Sequence, residues 1–198
     1  MARDYTTLSL ADVGAEFSAV ARDTQSVFGL LDREQLNWRP AATSWSVAQC
    51  FDHLLNANRE MFQAIDAATD DACRPTVWQR LPVLPRVFGW MLIRSQMPEA
   101  KRKFTAPRKA NPASSAIDPR IIERFVDYQH EAAARVRSLA GHDVARIIMV
   151  SPFASFVTYS LLDGCRLIVT HQRRHFEQAR RVTQVPGFPS SPLPGMRT

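Results

Sequence analysis

The chain has 198 residues, 45% of them hydrophobic, with 25 basic and 19 acidic side chains and a formal net charge of +6. That size and composition suit one domain able to bury its own core without disulfides or a structural metal. The cysteines Cys50, Cys73 and Cys165 are odd in number and lack Cys-x-x-Cys spacing, which excludes a disulfide framework and favours a reduced, cytoplasmic protein.

In chain order, the first predicted helix carries a seam of Leu10, Val13, Phe17, Val20, Thr24, Val27 and Leu31, with Ser9 and Asp12 as its cap pair. Trp45 precedes Ser46-Val-Ala-Gln49, which has the form of a capping box, so a second helix is expected over residues 46–69. Its seam runs Val47, Cys50, Leu54, Ala57, Met61 and Ala64, and His53 borders it. A short apolar helix is expected after Pro85, followed by a polar linker over residues 101–115. This long connection implies a crossover, with the apolar segment packed on the bundle or a partner subunit. Asp118-Pro119 opens a third helix that buries Ile122, Phe125, Ala132, Val136 and Leu139 and ends at Gly141; Gln129 is its one polar seam residue.

The fourth helix is expected to begin between residues 156 and 160 and to end near Gln184. Its seam reads Leu161, Gly164, Ile168, His171, His175, Gln178 and Val182. Two successive core positions are imidazole. An unpaired polar group there costs about 1 to 3 kcal/mol, and residues four apart on a helix lie about 6 Å apart, so a divalent metal could satisfy both rings; carbonyls or water could do the same. Adding His53 gives three neutral imidazoles from two helices, a ligand set suited to a metal site with an open position.

Four long amphipathic helices without strand alternation of comparable strength favour an all-α four-helix bundle, with a crossover and a short extra helix between helices two and three. The domain spans residues 1–184, and the proline-rich tail, 185–198, is expected to be extended or disordered. The run Met1-Ala-Arg-Asp-Tyr5 lacks the apolar core of a signal peptide. Residues 81–93 are interrupted by Pro82, Pro85 and Arg86 and are too short to span a bilayer, so no membrane partner is expected. Basic residues are scattered. Arg173, Arg174, Arg180 and Arg181 lie off the histidine seam, on a face expected to be solvated, which argues against nucleic acid binding, although their field could attract an anionic small molecule.

The segments Leu36-Asn-Trp-Arg-Pro40, Trp45-Ser-Val-Ala-Gln-Cys-Phe-Asp-His53-Leu54 and His171-Gln-Arg-Arg-His175-Phe-Glu-Gln178 together resemble the DinB/YfiT-like superfamily over residues 8–183. The resemblance implies a bundle with a divalent metal, zinc or nickel, held at one end by His53, His171 and His175. It also implies a homodimer. Superfamily members include transferases of low-molecular-weight thiols and proteins described as metal-dependent hydrolases; a non-catalytic metal or small-ligand binding protein serving a stress response is the alternative. Three neutral ligands keep a metal Lewis-acidic, able to bind a thiol as thiolate or to lower the pKa of water to about 7, and a thiol transferase acting on small electrophiles is the leading expectation. Gln178 and Gln129 could orient a ligand or substrate or make ordinary buried hydrogen bonds. Cys50 could be a fourth ligand or a small core residue. Trp38 and Trp45 are expected to anchor the loop between helices one and two, His130 and His142 to lie at the surface or at helix ends, and no catalytic acid or base stands out.

Overall fold

The computed structural model describes residues 3–70, 83–99, 110–113 and 116–190. Cys73, Trp78, Leu81, most of the 101–115 linker and residues 191–198 of the tail lie outside these residues. Among the described residues, six α-helices and a small hairpin follow in the order α1 (Leu10–Phe28), α2 (Arg33–Asn37), α3 (Val47–Thr69), α4 (Leu84–Ser95), α5 (Ile121–Ser138), β1 (Ile148–Ser151), β2 (Ala154–Ser160) and α6 (Leu161–Val182).

The helix starts follow local chemistry. Ser9 accepts from Asp12 N–H at 3.1 Å while Asp12 accepts from Ser9 N–H at 2.9 Å, closing the box that opens α1. Ser46 and Gln49 form the same reciprocal pair at the start of α3, both bonds 3.1 Å long. Asp32 and Gln35 cap the five-residue α2, an element the apolar periodicity does not announce. α5 begins later than Asp118-Pro119 implied: Arg120 holds the cap position without a side-chain cap bond, and Asp118 closes the turn before it, accepting from Arg120 N–H through its carboxylate and from Ile121 N–H through its carbonyl.

The long helices α1, α3, α5 and α6 form the frame, with α1 against α5 and α3 against α6. One phenylalanine from each meets in a layer: Phe28 to Phe51 at 5.2 Å, Phe28 to Phe176 at 5.3 Å and Phe51 to Phe125 at 4.8 Å between ring centroids. Val27, assigned above to the core seam, is 42% exposed; Phe28 takes the buried place where α1 ends. Arg173 of α6 pairs with Glu16 and Asp23 of α1. It is only 16% exposed, so the expectation of a solvated face fails for this residue.

The frame is not a strict four-helix bundle. Besides α2 and α4, an antiparallel hairpin pairs Met149 with Tyr159 and Val150 with Thr158, and it occupies residues 154–160, part of which was expected to begin the last helix. Ser160 ends β2 and caps α6 in one residue, its hydroxyl accepting from Asp163 N–H at 3.0 Å. Residues 185–190, the described part of the proline-rich tail, pack back on the domain. Phe188 sets its ring edge-on against Trp38 at 5.6 Å, and Pro189 accepts from the Gln35 amide at 2.9 Å.

The apolar helix expected after Pro85 is α4, which starts one residue earlier and packs on β2 and α6. Its approach to α6 is set by Gly89, where an added Cβ would lie 2.6 Å from Asp163 Oδ2 and 3.0 Å from Asp163 Cβ. Gly89→Ala should therefore destabilise the protein by about 1 to 3 kcal/mol, despite the roughly 1 kcal/mol by which alanine favours a helix. Urea unfolding measures it, and a variant as stable as the parent would contradict this contact.

Candidate metal centre

The α3–α6 contact brings one imidazole of α3 against two of α6. Ring centroids lie 5.0 Å apart for His53 and His171, 4.6 Å for His53 and His175, and 4.5 Å for His171 and His175. Each ring offers a nitrogen within 4.8 Å of the others, and the Nε2 atoms of His53 and His171 are separated by 3.2 Å. Two nitrogens bound to one tetrahedral zinc at about 2.0 to 2.1 Å would be about 3.3 Å apart, so this pair stands at ligand spacing.

The ring of His53 is oriented by the crossover segment. Its Nδ1 lies 2.5 Å from the carbonyl oxygen of Ala110, which can only accept, so Nδ1 carries the proton and the Nε2 lone pair faces His171. The same stretch is tied to α3 by Gln49, whose amide donates to Ala113 O at 2.9 Å, and by Asp52, which accepts from Ala113 N–H at 2.9 Å. Among the described residues no backbone group holds His175 in this way: its Nδ1 has no hydrogen-bond partner of normal geometry, and Gln178 bears on the ring through its side chain. Trp45 instead lies nearly parallel to that ring, 5.7 Å away at 24°, and reaches the His53 ring at 4.9 Å.

Exclusion of water is the first cause of lowered proton affinity at all three rings. At His53 the Ala110 hydrogen bond and the charge of Asp52 partly oppose it. His171 is driven well below the usual histidine range, with His175, His53 and Arg174 adding to the effect. His175 falls to about 3, burial being reinforced by His53 and Arg174 and opposed weakly by Gln178. All three rings are thus neutral at pH 7, the form that donates a lone pair to a metal. Among the described residues, no acidic side chain joins the group. The donor type and the spacing fit a divalent ion.

Other singled-out residues fall elsewhere. The Cys50 thiol is fully buried, pushed up to about 12 and packed with the apolar cluster around Phe28 and Phe51, and it is not in the histidine group. Gln178 is the exception: half-buried one turn beyond His175, its side chain favours the protonated form of that ring. Gln129 lies fully buried with both amide atoms unpartnered; so does Gln172, which the seam pattern did not single out. His130 and His142 are exposed, as expected. Trp45 and the Ala110 carbonyl escaped sequence reasoning. The position of Trp45 immediately before the Ser46 cap was the available signal for the first, and a backbone carbonyl leaves none for the second.

The lowered proton affinities give metal-free protein a defined pH response. A folded-state pKa below the unfolded value of about 6.5 means that the unfolded chain binds more protons, so the stability tied to these rings is present above that value and lost as pH falls towards the folded one. Each pH unit in that window should cost about 1.4 kcal/mol per ring still excluded from protonation. Urea unfolding of metal-free protein between pH 7.5 and 4.5 should show the decline, shallower in His175→Phe; equal slopes would contradict burial of a neutral His175.

The sequence model of the DinB superfamily matches residues 16–179. The uncharacterized protein YuaE of Bacillus subtilis (strain 168) is 24% identical over 169 residues, covering 85% of this chain and 95% of that protein. No solved structure gives a significant match. With the helical frame, the converging histidines and a family match across most of its length, the chain belongs to the DinB superfamily.

Proposed function

We propose that this protein is a metal-dependent transferase that adds a low-molecular-weight thiol to small electrophiles, with His53, His171 and His175 holding a zinc or nickel ion. The observation that carries this reading is the convergence of three neutral imidazoles, His53 and His175 buried and His171 half-buried, without a carboxylate among the described residues. A divalent ion held by neutral donors keeps its Lewis acidity and supplies stabilisation of a thiolate at neutral pH. The chain's described cysteines are poor nucleophiles. Cys50 and Cys165 are both buried with thiols pushed up to about 12, which favours a thiol brought in as cosubstrate.

The protein's own contribution is positional. Ala110 fixes the tautomer of His53, and the apolar surroundings keep protons off the rings. Hydrolysis has less support because no second acid–base group joins the histidines among the described residues. A non-catalytic binding role is the alternative that experiment must separate. A cytoplasmic location is part of the proposal, supported by the unpaired Cys50 and Cys165. No helix among the described residues is long and apolar enough to cross a membrane. Homodimer formation is supported by apolar side chains left exposed on α4, among them Val87, Trp90 and Met91.

Zinc- or nickel-loaded protein should consume thiol in the presence of small electrophiles, and His53→Ala or His171→Ala should abolish that turnover while leaving the helical spectrum intact. Metal-loaded protein that consumes no thiol across a broad electrophile panel would overturn the transferase reading. Sedimentation should give a dimer at micromolar concentration; a monomer at all concentrations would remove that part of the proposal.

A further inference from the structure

The three rings are not held in the same way. His53 is aimed by a hydrogen bond from Nδ1 to a backbone carbonyl, whereas the Nδ1 of His175, a ring that is also buried, has no hydrogen-bond partner of normal geometry, and the ring's polar neighbour is the side chain of Gln178. A ring with no hydrogen bond to a fixed backbone atom can rotate about its Cβ–Cγ bond unless packing stops it, and rotation would move its lone pair off the point shared by the other two. The indole of Trp45 supplies that packing. It stacks on His175 at 24° and closes against His53 at 4.9 Å, spanning two of the three histidines. Its own position is fixed from below, because Trp45 immediately precedes Ser46, whose reciprocal bonds with Gln49 set the chain's entry into α3.

We infer that Trp45 is a positioning residue of the metal centre, holding the His175 ring by stacking where Ala110 holds His53 by a hydrogen bond. The inference rests on the metal reading above. It assigns Trp45 a role in the site beyond anchoring a loop, and it makes the Trp45-Ser46 step a functional unit: the serine starts α3, and the tryptophan, eight residues before His53, orients a ligand carried by α6.

Two readouts test it. In metal-free protein, the His175 ring protons should be shifted upfield by the indole, and Trp45→Ala should remove that shift. In Co²⁺ titrations followed by visible absorption, Trp45→Ala should weaken affinity by about 10-fold or more, the usual effect of losing a group that orients a metal ligand, and change the ligand-field spectrum. Trp45→Phe, which keeps an aromatic face, should bind close to parent affinity. Trp38→Ala serves as the control for losing an indole from the same connection, since Trp38 packs on Phe188; it should leave Co²⁺ binding unchanged. Trp45→Ala with parent affinity and spectrum, or Trp38→Ala with the same loss as Trp45→Ala, would overturn the positioning role alone. A parent that binds no Co²⁺ while His175 keeps its upfield shift would overturn the metal reading, and with it the ligand that Trp45 is said to orient.

Discussion

Keeping water away from three imidazoles at once is the constraint on which this structure turns. An isolated histidine titrates near neutrality, and three side by side would repel one another if charged. Here burial sets the balance: His53 and His175 are 2% and 9% exposed, His53 lowers the proton affinity of both other rings, and His175 lowers that of His171. The result is a cluster of neutral rings turned towards one another, with no carboxylate in the group among the described residues. Such a cluster is costly in an apolar core unless a cation occupies it, which is why the same features that destabilise the metal-free protein towards acid favour a metal-bound one.

The fold serves this corner from several directions. α6 places His171 and His175 one turn apart, while Phe176, the next residue, enters the aromatic layer that joins all four long helices. α3 supplies His53 and, on the same stretch, Gln49 and Asp52, which hold the crossover against it. Arg173 ties α6 back to α1 through Glu16 and Asp23. Core packing, an ion-pair clamp and a backbone carbonyl thus converge on the orientation of three side chains.

Much of this was readable in the sequence because it is locally encoded. The boxes at Ser9 and Ser46 mark helix starts through contacts three residues apart, and the seams of α3 and α5 follow from spacing alone. The pairing of His53 with the last helix could be inferred only from the motif as a whole, since no local pattern joins residues 118 positions apart. What stayed hidden depends on tertiary context. The hairpin has strands of four and seven residues, with an alternation too short to stand out beside long helical seams. The five-residue α2 has no room for a periodic face. The docking of Phe188 on Trp38, the Ala110 carbonyl and the stacking of Trp45 are contacts between segments whose proximity only the folded chain creates.

The central claim is that the histidine cluster holds a divalent ion. Metal analysis of protein purified without a histidine tag, beside a His171→Ala/His175→Ala double variant, tests it most directly. The account predicts near-stoichiometric zinc or nickel in the parent and its loss in a variant that still folds. A parent that is metal-free as purified and refuses both ions when they are added would contradict it.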